Sequence, residues 1–308
     1  MATLTPNEVL SQIKEGKSLY EAELSCADLQ GLNLDGGKFA RAYLRNTNLV
    51  TASCQRTDFT EAILINANMS GASLHQGILV GAKLNGAKLE KSFFGETCAI
   101  KANFYAACLQ EADFSFASLE SADLREVIAK SAIFREAKLS KANLQAGEFS
   151  EANFNEADLT ETNCKNADFS SALLRQADLE KAKCSYTVCQ GTDFTQANLI
   201  GTDLSYSDLT CAIFTKAELE LALLMDSDLT RADFSVCFLG AANLEGAILS
   251  HANFSGADLR YTNFENTILD GVDFSGIKVR GALFSDAQGL NEQQKRMLRK
   301  KGALNVPA

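Results

Sequence analysis

Residues 102–124 read ANFYAACLQEADFSFASLESADL. Cut into fives, the stretch places Phe104, Leu109, Phe114, Leu119 and Leu124 at one position and Ala102, Ala107, Ala112, Ala117 and Ala122 two residues before them. Counted outward from here, the frame runs without a slip from Leu19 to Phe284, 54 positions in all. Of these central positions 30 are Leu, 16 are Phe and one is Met69. The rest are Cys54, Ala99, Ala129, Cys164, Cys184, Cys189 and Val279, all apolar or thiol. Two residues earlier, 49 of 54 are Ala, Ser, Thr, Gly or Cys; Lys17, Leu32, Val127, Val272 and Ile277 depart. The residue just before the centre is often Asp or Asn. A strict period of five leaves no apolar stripe on an α-helix, and strict alternation for a long strand is absent. A chain that turns a corner every five residues can point one large residue inward each time.

The A-(D/N)-(L/F)-x-x tandem resembles the pentapeptide repeat family, over Lys17 to about Asp286. The resemblance implies an all-β fold: a right-handed quadrilateral β-helix solenoid with four pentapeptides to each square turn. The small residue two before the centre then also points inward, where close packing penalises an extra methylene. With four faces the repeats make about 13 turns, a rod of roughly 65 Å at the interstrand spacing of about 4.8 Å.

Four repeats per turn means that side chains 20 residues apart stack, and the residue choice follows that period. Phe94, Phe114, Phe134 and Phe154 form one run, and after Leu174 it resumes as Phe194, Phe214, Phe234, Phe254 and Phe274. The only two prolines, Pro6 and Pro307, lie near the ends, as expected where Pro would delete a ladder donor.

A solenoid exposes an open core at each end, so short α-helical caps are expected. Thr5, Pro6 and Glu8 supply N-cap, N1 and N3 of a helix closed by Gly16, with Val9, Leu10 and Ile13 available to the first turn. At the far end Asn291 and Gln294 repeat that logic. There Leu290, Met297 and Leu298 supply apolar contact, and the run Lys295, Arg296, Arg299, Lys300, Lys301 suits a helix C-terminus. The predicted organisation is a capping helix over 1–16, the repeat body over 17–288, and a basic helix and tail over 289–308. Leu290, Met297 and Leu298 are also the residues available for an end-to-end dimer, the alternative to a monomer.

The first residues show no basic region followed by an apolar stretch, and no apolar run is long enough to span a membrane. Nine scattered Cys fit a reducing compartment, so a cytoplasmic, bacterial protein is expected. The net charge of −10 argues against direct nucleic-acid binding, which favours a basic face. Cys164 and Cys184 stack inside the coil and Cys189 lies on the next face, without a nearby His or a C-x-x-C motif. His75 and His251 are 176 residues apart and cannot share a site. Phosphate-binding glycine motifs are absent. The expectation is therefore no catalytic, cofactor or metal residue, and no enzyme.

Function then rests on the outward residues. Residues 19–153 carry net −3, residues 154–288 net −11. In the acidic half Asp158 and Asp178 are expected to stack on one face, Asp208 and Asp228 on another, and Tyr186 and Tyr206 outward between coils. Exposed Tyr is a recurrent interface anchor. Ile133, Leu173 and Ile213, spaced by 40, suggest an outward apolar stripe. The leading expectation is a scaffold or adaptor presenting a rigid acidic surface to protein partners. The alternative, implied by resemblance to the quinolone-resistance members, is a DNA mimic that binds DNA gyrase or topoisomerase; the protruding loops and apolar dimer tail of that branch are absent here.

Overall fold

Most pentapeptides dispose of their five backbone N–H groups in the same way, and this accounting builds the fold. In Asn198–Thr202, the Asn198 N–H donates to Ala177 O on the preceding coil (2.9 Å) and the Leu199 and Gly201 N–H groups to Glu218 O and Glu220 O on the following one (2.7 and 2.9 Å). The Thr202 N–H closes a β-turn on Leu199 O (3.1 Å). Only the Ile200 N–H has no backbone acceptor, and the Asn198 side-chain oxygen takes it (3.1 Å). Asp or Asn before the centre is thus the acceptor for the one donor the coils cannot serve. The same bond recurs from the Thr60, Ser115 and Ser235 N–H groups to the side-chain oxygens of Asp58, Asp113 and Asp233.

The computed structural model describes residues 4–308. The chain forms two compact units, residues 1–158 and 159–308. In each, parallel bridges join residue i to i+20. Ser18–Lys38, Glu23–Tyr43, Asp28–Asn48 and Asn33–Ser53 open four columns in the first unit, and Asn163–Lys183, Asp168–Val188, Leu173–Asp193 and Asp178–Asn198 open four in the second. Four pentapeptides therefore complete one coil, and the fold is a pentapeptide-repeat β-helix. Its walls differ from an ordinary sheet: each bridge is one residue long, and the described residues contain no extended strand.

Between bridges the chain turns, and the second residue after each centre is left-handed. Gly takes this corner at Gly201 (φ 65°), but Glu21, Arg41, Thr51 and Tyr206 hold φ between 53 and 60° as well. A non-glycine residue there costs on the order of 1 kcal/mol, which the interior must offset. The centres do so by near-complete burial. In the first unit the Phe94, Phe114, Phe134 and Phe154 rings stack at centroid distances of 4.4, 5.3 and 4.7 Å. In the second, Phe194, Phe214, Phe234 and Phe254 stack at 4.9, 4.8 and 4.8 Å, with planes within 4°. These spacings match the interstrand repeat. Phe39 and Phe149 lean back over Gly37 and Gly147, where a Cβ would meet the ring at 2.4 and 2.5 Å.

The position two before the centre sets the turn. Its N–H bonds the preceding centre's carbonyl at 2.8 Å for Gly77 and Ala107, but at 3.3 Å for Leu32 and Thr47 and 3.4 Å for Val272. Buried hydroxyls at this position are satisfied: Thr47, Thr57 and Thr202 donate to Leu24 O, Leu34 O and Leu179 O.

Helix α1 spans Pro6–Lys14, with a capping box between Thr5 and Glu8 and Val9 buried. Helix α2 spans Glu292–Lys300, with a capping box between Asn291 and Gln294 and Leu298 buried. Gln294 Nε2 donates to Val272 O (2.9 Å) and Lys301 Nζ to Ile277 O (2.8 Å), tying α2 to the final coils. Lys295 Nζ donates to Ala308 O (2.6 Å), and Arg299 bonds the Val306 and Pro307 carbonyls. Among the described residues no helix is long and apolar enough to cross a membrane.

Candidate functional site

Tyr186 and Tyr206 occupy the left-handed corner of successive coils in the second unit (φ 62 and 60°). The corner aims both side chains outward, and the coil repeat sets their rings parallel, 5.0 Å apart at 9°. They remain 56 and 48% exposed, so the stacked pair stands half in solvent. Behind them Ser185 and Ser205 are buried, and Asp203 Oδ1 accepts the Ser205 N–H at 3.1 Å.

Asp208 follows two residues beyond Tyr206. Its Oδ1 accepts the Thr210 N–H (3.1 Å) and hydroxyl (2.7 Å), and Oδ2 accepts Gln190 Nε2 (2.6 Å). Burial alone would raise this carboxyl, but the donors from Thr210 and Gln190 outweigh it and hold it below the ordinary Asp value. Asp228 bridges Asp208 on the next coil, and its Oδ1 accepts the Thr230 N–H (2.9 Å). Like charges facing across a bridge repel; here each is engaged by its own turn. The structure thus brings Tyr186, Tyr206, Asp208 and Asp228 onto adjoining columns.

Asp178 lies in a column two removed from that of Asp208; its Oδ1 accepts the Glu180 N–H (3.0 Å) and Asn198 Nδ2 (2.9 Å). Asp158 is the last residue of the first unit, where it bridges Lys138. In neither unit does the 40-residue spacing of Ile133, Leu173 and Ile213 give neighbouring apolar residues. Asn153 bridges Ile133, and Asp193 stands between Leu173 and Ile213, itself 6% exposed and paired with Arg175 at 2.6 Å. A spacing of 40 skips alternate coils, and the skipped coils carry polar residues. Leu290 and Leu298 are buried within the second unit, and Met297 is half-buried beside Val272 and Phe274.

Cys164, Cys184 and Cys189 are buried, and burial pushes the Cys189 thiol up to about 12. His75 is half-buried, with Nδ1 where a Cβ on Gly95 would lie 3.2 Å away, and His251 is exposed. No group of three or more His, Cys, Asp or Glu among the described residues is placed to hold a metal ion. The sequence reading passed over the outward apolar residues of the second unit: Leu221, Leu223, Val236, Phe238 and Tyr261 are 37–63% exposed. The signal was present, since Phe or Leu at an outward position departs from the repeat's own preference.

Coils of four five-residue turns, with small and large apolar residues buried alternately, define the class of pentapeptide-repeat β-helices. The sequence profile described as pentapeptide repeats matches in 8 copies, over residues 22–52, 38–76, 78–115, 107–145, 137–176, 177–215, 237–276 and 247–286. The chain belongs to the pentapeptide repeat family. No curated protein matches it significantly. Among solved structures it is similar to HetL, a pentapeptide repeat protein involved in heterocyst differentiation regulation from the cyanobacterium Nostoc. The two are 27% identical over 93% of this chain and 100% of that one, with a TM-score of 0.26. It is also similar to QnrB1, a plasmid-mediated fluoroquinolone resistance protein, at 18% identity over 65% and 98% of the two chains and a TM-score of 0.34. A pentapeptide repeat protein of the Arabidopsis thaliana thylakoid lumen is 23% identical over 53% and 85%, with a TM-score of 0.15. At such TM-scores these likenesses carry no role or partner over to this chain.

Proposed function

We propose that the chain is a non-enzymatic scaffold that docks protein partners on the outward residues of its second unit. Tyr186 and Tyr206 serve as anchors, and Asp208 and Asp228 beside them favour a basic partner. The coil is read as right-handed and four-sided, with α1 and α2 capping its ends, and the protein as a cytoplasmic one that needs no cofactor and does not contact nucleic acid directly. The observation that supports this most is the Tyr186–Tyr206 stack, half-exposed and held parallel by the backbone repeat. Rigid aromatic side chains lose little conformational entropy when a partner covers them.

Affinity capture with crosslinking, comparing the purified chain with a Tyr186→Ser/Tyr206→Ser variant, tests the reading. Both residues are exposed, so the variant keeps its Tm within about 2 °C. Proteins captured by the native chain are expected to be lost from it; identical bound sets would sink the proposal.

A charge-removed variant separates the scaffold from DNA mimicry. Asp158, Asp178, Asp208 and Asp228 replaced together by Asn keep the side-chain oxygen that each turn requires, because Asn48, Asn198 and Asn253 already serve there. The variant is expected to fold with stability within about 1 kcal/mol of the native chain. Neither protein should then affect gyrase supercoiling; inhibition by the native chain that the Asn variant lacks would establish mimicry instead.

A further inference from the structure

Glu220 follows Leu219 in the second unit, at a turn. Its Oε2 lies out of water with no hydrogen-bond partner. Burial pushes this carboxyl above the ordinary Glu value; its own backbone N–H offsets part of the rise, and the nearby carboxylates of Glu218 and Asp258 add to it. One coil on stands Gly240, where even a Cβ would sit 3.5 Å from Glu220 Cγ. The missing side chain leaves an open recess of about 280 Å³ lined by Glu220, Phe238, Gly240, Asp258, Arg260 and Tyr261. Phe238 and Tyr261 are 43 and 63% exposed.

The cations already there are committed elsewhere. Arg260 Nε and Nη2 donate to Asp258 Oδ1 and Oδ2, both at 2.8 Å, and Lys278 Nζ lies 3.5 Å from Asp258 Oδ2. The recess is therefore edged by a carboxylate with one shielded oxygen that lacks a donor, which a rotation of the Glu220 side chain brings to the opening, beside two exposed aromatic side chains. An unmade bond to a shielded charge is costly, and aromatic faces attract cations. A cationic side chain answers both, and residues 154–288, net −11, favour its approach.

We propose that this recess takes a guanidinium or ammonium side chain from a basic segment of a protein partner, with Glu220 accepting its hydrogen bonds and Phe238 and Tyr261 flanking the cation. The inference rests on the scaffold reading and names the chemistry of the partner at a second place on the same unit. Glu120 supplies an internal control. Its Oε2 is also without a partner, but the bridge beside it joins Ser118 to Lys138, where the bridge beside Glu220 joins Glu218 to Phe238. Glu120 therefore has the unpaired oxygen without the aromatic wall.

The test is fluorescence-anisotropy titration of a labelled hexa-arginine peptide at about 150 mM salt, where the Debye length is about 8 Å and diffuse attraction is damped. The native chain is expected to bind it. Glu220→Gln and Phe238→Ser should each weaken binding by about 10-fold or more, the scale of one lost charge-assisted contact, while Glu120→Gln stays within about 2-fold. Glu220→Gln also reads the fold independently. A carboxyl raised in the folded state contributes stability at low pH that is lost as pH rises, so Gln should raise Tm at neutral pH and not in acid. Binding should likewise fade on acidification at a higher pH than an ordinary Glu would give, with Glu218, Asp258, Arg260, Tyr261 and Lys278 as the other charged or titratable groups around the site.

Equal binding by the native chain and Glu220→Gln overturns the inference, as do equal losses in Glu220→Gln and Glu120→Gln, or no binding by the native chain. Self-association that Glu220→Gln abolishes would make α2 of a second copy the occupant and overturn the foreign partner. If the recess variants bind the peptide normally while Tyr186→Ser/Tyr206→Ser still loses its captured proteins, only this inference fails and the scaffold reading stands.

Discussion

Replacing Phe214 by alanine lowers the stability of the second unit by about 3–5 kcal/mol, the range for a buried aromatic truncated to a methyl. Phe214 is fully buried, and its ring stacks on Phe194 below and Phe234 above at 4.9 and 4.8 Å. The deletion removes both stacks, each worth about 0.5–1.5 kcal/mol beyond burial. The wall cannot close over the void, because the Phe214 N–H is bonded to Asp233 O on the next coil at 2.7 Å. Urea unfolding measures the effect: the midpoint should fall with little change in m. The exposed Phe238 gives the contrast, since its replacement by Ser should leave the midpoint nearly unmoved. A loss under about 1.5 kcal/mol at Phe214 would mean that the interior relaxes far more readily than ring columns held by backbone bridges allow.

Much of the fold was legible because the interior is written at two fixed positions in every five residues. A large apolar residue at Phe104 or Leu109 and a small one at Ala102 or Ala107 mark the two buried positions, and the recurrence of Phe every 20 residues agrees with the four repeats per coil that the family resemblance implies. The helix ends were legible for the same local reason: Thr5 with Glu8 and Asn291 with Gln294 form their capping boxes without help from distant residues. The corners were legible only where glycine marks them, as at Gly71, Gly81, Gly86 and Gly246. Glu21, Arg41, Thr51 and Tyr206 adopt the same positive φ with nothing in their own side chains to announce it, since the bridges on either side impose the turn. One-residue bridges in place of strands were hidden too, because a hydrophobic period reports burial and says nothing of ladder length.

The candidate site was legible only in part. Tyr186 with Tyr206 and Asp208 with Asp228 follow directly from the 20-residue period. That period says nothing of how much of an acid its own turn consumes: Asp208 looks like a free surface charge in sequence, yet Thr210 and Gln190 occupy both of its oxygens. The recess beside Glu220 was illegible for a different reason. It arises from what Gly240 lacks, and from Phe238 and Tyr261 lying on adjoining coils, a juxtaposition that appears only once the coils are stacked.

Inserting residues between Gly201 and Thr202 should give effects ordered by register rather than by length. One added glycine moves every later centre out of frame, so that Leu204, Leu209 and Phe214 turn toward solvent while Asp203 and Asp208 turn inward. Burying carboxylates without partners is prohibitive, and the second unit should lose cooperative unfolding altogether. Five added residues, a copy of residues 197–201, keep the centres inside but rotate every later column by one face. Phe214 then stacks where Leu199 lies and Leu209 where Phe194 lies. The loss is confined to one interface between coils, a few kcal/mol by the stacking and packing terms involved. Twenty added residues, a copy of 182–201, restore every column, including the Phe194–Phe214 stack with one ring interposed. Loops lengthen cheaply and solenoids add repeats as nearest-neighbour units, so this longest insertion should unfold at a urea midpoint close to the native one. Circular dichroism with urea titration on the three variants decides it. A stability that falls steadily from 1 to 5 to 20 residues would show that chain length, and not the 20-residue register of the ring columns and bridges, sets what this fold tolerates.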